Sequence, residues 1–426
     1  MTEKSYAPYK ATNTNLDTSG VVSDLAALAR FRCWVEIDLS AFRRNIRRMR
    51  QAVEGDVLLL LPVKADAYGH GVVEMTRAAA GEGVSCFGVS SLDEAILIRQ
   101  AGIQSKIIFL TPPLPDQLTG LLKYNVTPIL TSRETALLLG KLAASQGKTA
   151  VVHVEVDSGM GRTGIDWRHA AGEIQTISGM DGLRLEGVMT HFSRADDSAS
   201  DYTSLQIERF EQVLSQLPAA LSCELILHAS NSAASIRFRS ARYTMIRPGL
   251  YMYGLLPPGW EFEGIEEPEP VLSLKSRVIL VKDVPENEPI SYGGRWVTPS
   301  PRRIATVSAG YRDGVNYSLS SGGRVLIRGR SFPIVGAVCM DMIMVDLGED
   351  KEITKGDVVT IIGEDGGERI SAREIADVSG TIPYDVLCSS GMRVLRVYCN
   401  HDVAVKVESV LGTDRKGRSI DERRKE

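Results

Sequence analysis

The stretch Leu61-Pro62-Val63-Lys64-Ala65-Asp66-Ala67-Tyr68-Gly69-His70-Gly71 decides how this chain reads. It closes an apolar run from Val57 to Val63, which has the character of a buried parallel strand. The run ends on a lysine. An amine at the mouth of an apolar strand is partly desolvated, which lowers its pKa and frees its lone pair. A free lone pair is what an amine needs to form a Schiff base with an aldehyde such as pyridoxal phosphate. In the turn after the lysine, Gly69 and Gly71 allow the backbone to come close to a ligand. Taken locally, the plainer reading is a strand-end lysine whose stem runs along apolar surface to water. The remainder of the chain has to decide.

Working outward, the same apolar β-rich run recurs. The runs are Val57–Val63, Cys86–Val89, Lys106–Leu110, Val126–Leu130, Thr149–Val156, Leu185–Thr190, Leu225–His228 and Thr244–Arg247. Helical patterns with start signals lie between them, such as the capping boxes at Ser91-Leu92-Asp93-Glu94 and Thr131-Ser132-Arg133-Glu134. About eight strand–helix units in roughly 200 residues spell an α/β fold, a (β/α)8 barrel, with a doubly wound open sheet as the rival. A further strand, Arg32 to Leu39, precedes a helix that Asp38 or Ser40 can cap. That helix has Phe42, Ile46 and Met49 on one face and arginines on the other, read as a solvated face. After Pro257 the pattern turns into β-rich runs and hairpin turns, the mark of a mainly antiparallel β domain. The expected layout is an extension at 1–31 ending in a short helix near Val21 to Leu28, a barrel domain at 32–257, a linker at 258–270, a β domain at 271–400 and a charged tail at 401–426.

Composition excludes several classes. A chain of 426 residues is too long for one ordinary core, so two domains are expected. The net charge of −4 gives no electrostatic footing for nucleic acid. The six cysteines form no C-x-x-C pair, which suits reduced, buried thiols in a cytoplasmic protein, and the six histidines show no metal-ligand spacing. Met1 to Gly20 is polar, unlike a signal peptide, and no apolar run reaches membrane-spanning length.

In such a barrel the chemistry sits at the C-terminal ends of the strands. Chemistry-bearing residues fall there repeatedly: Lys64 after the first strand, Asp157 to Arg162 after the fifth, His191 after the sixth, His228 to Ala234 after the seventh and Arg247 to Leu250 after the eighth. One segment, Gly159-Met160-Gly161-Arg162-Thr163-Gly164, also fits the dinucleotide pattern G-x-G-x-x-G, with Asp181 and Glu186 about 20 residues on. That pattern carries a second reading, a nicotinamide oxidoreductase. Its place on a fifth strand rather than a first argues against it.

The Lys64 stretch resembles the lysine signature of bacterial alanine racemases, and the likeness runs from about Arg32 to Tyr398. The resemblance implies that pyridoxal phosphate is the cofactor and that Lys64 carries it. By the same likeness, Arg162 meets the cofactor's phenolic oxygen, His191 lies beside the ring, and Arg247 faces the ring nitrogen. Tyr68, Asn231, Ser232, Tyr384 and the backbone N–H groups of Gly249 and Leu250 complete the implied cofactor site. Tyr311, in Gly310-Tyr311-Arg312-Asp313-Gly314, is the implied second base; with a reference pKa of about 10 it needs help from its surroundings. In Cys339-Met340-Asp341, the resemblance implies that the Met340 N–H joins Arg162 at the substrate carboxylate and that Asp341 supports it. Two departures stand out. Glu155 occupies a position where many members have a carbamylated lysine, and Arg312 replaces a small residue. The implied protein is a cytoplasmic homodimer with shared active sites, acting on an amino acid by a two-base mechanism. The amino acid is alanine, with a serine or broad-specificity racemase of the same fold as the alternative. A non-catalytic pyridoxal-phosphate carrier would not need Tyr311.

Overall fold

The computed structural model describes residues 31–256, 265–401 and 403–408. The expected helix near Val21 to Leu28, much of the expected linker and the residues beyond 408 lie outside the described residues. Among the described residues two compact units emerge, one within residues 41–269 and the other formed by residues 31–40 together with those from 270 to 408.

The first unit is built on a nine-stranded sheet, of which eight strands form one continuous path. They are Leu58–Pro62, Cys86–Val89, Lys106–Phe109, Val126–Leu130, Ala150–Asp157, Leu183–Met189, Ile226–His228 and Met245–Ile246. Met245–Ile246 pairs back onto Leu58–Pro62 in parallel, and Thr244 N–H donates to the Leu227 carbonyl at 3.2 Å. The path therefore closes, and the open sheet is excluded. Leu60, Cys86, Ile108, Ile129, Met189 and Met245 pack into one cluster. Side chains from strands on opposite sides of a ring meet only inside it, so this cluster fills the barrel. Ser91 and Glu94 form the expected capping box on Leu92–Gln100, while Ser132 caps Arg133–Ser145 through Thr135 N–H.

Several expectations need correction. The strand expected to open the barrel domain forms as Cys33–Asp38 but belongs to the other unit: it pairs antiparallel with Leu272–Val284 and parallel with Leu395–Asn400. The charged tail expected from 401 likewise begins inside that unit, because Val403–Glu408 adds an antiparallel edge strand to Leu395–Asn400. The cysteines are not all buried as expected: Cys33 and Cys86 are, but Cys223 and Cys388 are exposed. The arginine face of helix Leu39–Val53 is also less bare than expected. Arg44 and Arg48 grip Glu269, and Arg47 grips Glu82.

Among the described residues the second unit is built on a ten-stranded sheet, antiparallel apart from the Cys33–Asp38 pairing with Leu395–Asn400. Val358–Asp365 pairs with Arg324–Ile327 along the path and also with Leu272–Val284. That extra pairing bends the path round into a closed antiparallel barrel, a β-rich companion of the kind the run of hairpins predicted.

Candidate active site

Lys64 stands where the first barrel strand ends. The backbone after it is unusual: Ala65, Asp66, Ala67 and Tyr68 all lie in the left-handed region, with φ between 53° and 54°. Each such residue with a Cβ is strained, by about 1–2 kcal/mol. Strain of this sort survives only where neighbours over-determine it. Here Ala67 N–H returns to Val63 O at 2.9 Å and Gly71 N–H to Asp66 O at 2.8 Å. The Asp66 carboxylate accepts from Val72 N–H at 2.7 Å, and Asp66 N–H donates to Glu94 at 3.2 Å. Tyr253 stacks on Tyr68 with ring centroids 4.6 Å apart and donates its hydroxyl to Pro62 O at 2.9 Å. The lysine is thus presented by a braced left-handed turn that begins earlier than the expected glycine turn.

Arg247, after the eighth strand, is buried and heavily used. Nη1 donates to His228 O at 2.6 Å and to His228 Nδ1 at 3.2 Å. Nη2 reaches Thr190 O, Ala229 O and His191 Nδ1 at 2.8, 3.1 and 3.1 Å. Burial pulls its pKa down to about 10, which still leaves it charged near neutrality. Burial, followed by the charges of Arg247, Arg162 and Lys64, holds His191 well below the usual imidazole range, so that ring is neutral. Glu155 is buried on the fifth strand. Burial raises its carboxyl, while a hydrogen bond from Thr163 and the charges of Arg247 and Arg162 pull it back.

Arg162 is exposed on the loop after the fifth strand. The glycines there do not form a dinucleotide cradle: Gly159 and Gly161 N–H groups donate to the Asp157 carboxylate at 2.9 and 3.1 Å. The next helix, Trp167–Ser178, starts further on, capped by Asp166. Nor is Glu186 placed to read a ribose, since it pairs with Lys106 and His153. The oxidoreductase reading falls with these contacts. Asn231 caps Ser232–Arg237, its carboxamide accepting from Ala234 N–H at 3.0 Å and donating to Phe192 O at 3.4 Å. The Ser232 hydroxyl accepts from Tyr251 N–H at 3.3 Å.

These residues fit pyridoxal phosphate. The mouth is cationic, as an anionic cofactor requires, and it offers a primary amine and a hydroxyl. At Gly249 a Cβ would come within 2.7 Å of the Tyr68 hydroxyl. Only a glycine lets the Gly249–Leu250 backbone approach that closely.

In the β unit, Tyr311 and Met340 are about half exposed, at 45% and 51%. Their loops are laced together. Tyr311 N–H donates to Cys339 O at 2.9 Å and Arg312 N–H to Met340 O at 3.2 Å. Beneath them Asp313 is fully buried. It accepts from Arg32 at 2.6 Å, from Arg393 at 2.8 and 3.0 Å and from Gly310 N–H at 3.0 Å. Arg393 also pairs with Asp341 at 2.6 Å. Tyr384 is partly buried on helix Pro383–Cys388. Sequence reasoning misses Arg32 and Arg393. The signal that could have found them is Asp313 itself, a carboxylate inside a β-rich region that must find cations if buried.

A closed parallel barrel with a lysine at a braced mouth, followed by an antiparallel β barrel, defines the class of barrel enzymes that work with pyridoxal phosphate. Residues 37–257 match the family described as alanine racemase, N-terminal domain, and residues 271–398 its C-terminal domain. The alanine racemase of Halothermothrix orenii is 40% identical over 367 residues, spanning 86% of this chain and 97% of that one. The solved alanine racemase of Clostridium difficile 630 superposes with a TM-score of 0.85 at 36% identity, covering 89% of this chain and 99% of that one. That of Bartonella henselae, solved with covalently bound pyridoxal phosphate, gives 0.79 at 26% identity, with 87% and 100% coverage. The chain belongs to the alanine racemase family, and with it to the amino-acid racemases that depend on pyridoxal phosphate. Among the described residues no helix is long and apolar enough to cross a membrane.

Proposed function

We propose that this chain interconverts L-alanine and D-alanine as a cytoplasmic homodimer and so supplies D-alanine for peptidoglycan. The observation that carries the reading is a pair of proton-handling side chains, each on a reinforced turn: Lys64 on its left-handed turn and Tyr311 above buried Asp313. A flexible lysine and a loose tyrosine would serve neither as bases nor as orienting groups. The cysteines, all without a disulfide, suit the cytoplasm.

The roles rest on chemistry and position. When bound, pyridoxal phosphate supplies the electron withdrawal that loosens the proton on the substrate Cα. Lys64 holds the cofactor and exchanges a proton on one face of Cα. Tyr311 of the partner subunit does the same on the other face, so a proton removed from one side returns from the opposite side. Arg247 faces the ring nitrogen as a cation that keeps its own proton, since its pKa near 10 lies well above neutrality. A cation at that place would keep the ring nitrogen of a bound cofactor unprotonated, which would disfavour side reactions and leave proton exchange. His191 packs beside the ring as a neutral imidazole. Ser232, Tyr384, Tyr68, Asn231 and the Gly249 and Leu250 N–H groups hold the phosphate end. Arg162 and the Met340 N–H take the substrate carboxylate, with Asp341 steadying the latter. Glu155 steadies Arg162.

The test uses the purified holoenzyme with L-alanine and L-serine side by side, tracking the D-enantiomer by chiral chromatography. We expect kcat/KM for alanine to exceed that for serine at least tenfold. Serine turned over equally well would overturn the alanine assignment; no racemisation of either would overturn the racemase.

A further inference from the structure

A line of polar side chains runs through the first barrel from the mouth to its opposite end. Arg247 Nη1 lies 3.2 Å from His228 Nδ1. His228 Nε2 lies 2.8 Å from His153 Nδ1, and His153 Nε2 lies 3.1 Å from Glu186 Oε2. The same Glu186 oxygen meets the Lys106 ammonium, while Arg184 reaches the other oxygen at 3.2 Å. Lys106 opens the third barrel strand, so it sits at the end away from the mouth. Barrel interiors are normally filled by branched apolar side chains. This one makes room for a histidine instead: a Cβ on Gly187 would fall 2.6 Å from the His153 ring.

The two ends of the line fix everything between them. A guanidinium can only donate, so the 3.2 Å bond from Arg247 Nη1, which also has the His228 carbonyl at 2.6 Å, is made only while His228 Nδ1 is a lone pair and its proton sits on Nε2. That N–H donates to His153 Nδ1, which places the His153 proton on Nε2, pointing at Glu186. A carboxylate can only accept, so reasoning from Glu186 gives the same assignment in reverse. Burial, which keeps both imidazoles below their usual range, agrees with it. Without an anion at position 186 the order can invert. His153 would then donate from Nδ1, His228 would accept at Nε2 and carry its proton on Nδ1, and two N–H groups would face each other at Arg247.

We propose that Glu186, held by Lys106, is a positioning residue that fixes the tautomers of His153 and His228 and so keeps Arg247 in one orientation toward the cofactor ring. The inference rests on the role given above to Arg247. It assigns to the closed end of the barrel a part in the chemistry at its mouth.

The test is 15N NMR of holoenzyme labelled with [15N]histidine, the two resonances assigned with His153→Gln and His228→Gln. In the wild type both rings should be neutral and protonated on Nε2 from about pH 6 to 9. In Glu186→Ala the Nδ1–H form of His153 should appear, and kcat should fall about tenfold with KM for alanine within about twofold. Lys106→Met should give an intermediate mixture of tautomers. An Nδ1–H or a charged ring in the wild type would overturn the proposal without any variant needing to fold. Unchanged tautomers in a folded Glu186→Ala protein would overturn it too. Expected tautomers in a wild type that racemises nothing would instead sink the functional reading and leave the relay standing.

Discussion

Arg393 closes on buried Asp313 with two hydrogen bonds, at 2.8 and 3.0 Å, and thereby ties the turn before strand Leu395–Asn400 to the Tyr311 turn. Arg32 grips the same carboxylate from the N-terminal side. Removing the acid would take the buried carboxylate from two cations, leaving Arg393 with Asp341 and Arg32 with the Ser308 and Asp341 carbonyls, and would leave the Gly310 N–H without its acceptor. Asp313→Ala should therefore destabilise the protein by about 3 kcal/mol. Asp313→Asn keeps the shape and should fold, yet lose most racemase activity while still taking up the cofactor at Lys64. Denaturant unfolding and cofactor absorbance check the two halves. An Asn variant with wild-type turnover would show that the bracing of Tyr311 does not matter.

Lys64 should be the residue that carries pyridoxal phosphate. Borohydride reduction of the holoenzyme and then peptide mapping should place the label on the peptide containing Leu61 to Gly71. A label on any other lysine would end the assignment.

Glu155 should act as a permanent carboxylate beside Arg162 and Arg247, both of which favour its charged form against the effect of burial. Glu155→Gln removes that charge and should reduce kcat/KM about tenfold or more. Wild-type activity should be indifferent to removal of dissolved carbon dioxide, since no carbamate has to form at this position. An unimpaired Gln variant would refute the role.

Glu186 gives a pH signature in stability. The hydrogen bond from His153, then Lys106, holds its carboxyl down at about 2 against burial. A carboxyl whose pKa is depressed on folding adds stability above its unfolded value of about 4.3, and that contribution is lost as pH falls toward the folded value. The thermal-stability gap between wild type and Glu186→Gln should be constant above about pH 5.5 and close on approaching pH 2. A gap that widens on acidification would contradict the sign.

The proposed homodimer can be tested by complementation. Lys64→Ala and Tyr311→Phe homodimers should each be nearly inactive. After subunit exchange, each mixed dimer should hold one doubly damaged and one intact site, restoring about half of wild-type activity per mixed dimer. No recovery after exchange confirmed by mass would rule out a site shared between subunits.

The barrel strands are readable because each is an apolar run set off by caps, and runs of that kind have few other uses. Cys33–Asp38 reads in the same way, but an apolar run does not say which sheet it will join. Only its register with Leu272–Val284 and Leu395–Asn400 settles that. The turn after Lys64 is unreadable for a different reason. Ala65, Ala67 and Tyr68 have no preference for positive φ and Asp66 only a slight one, and the contacts that impose it come from Val72, Glu94 and Tyr253, outside the turn itself. Glu186 stands out in the sequence for the wrong purpose, as a ribose partner. Its actual neighbours, His153 and Lys106, come from other strands and are brought together by barrel closure.

The pairing of Cys33–Asp38 has a consequence for synthesis. This strand is synthesised before both of its partners, with Trp34 and Val35 destined for burial. Its antiparallel partner begins at Leu272 and its parallel partner at Leu395. At about 5–20 residues per second the strand waits roughly 20–70 s for the second of them. The barrel strands, Leu58 to Ile246, are all made before either partner, so this strand has no β partner until Leu272–Val284 follows it and lacks its parallel one until Leu395–Asn400 does, which makes it a natural client for a chaperone that binds apolar β segments.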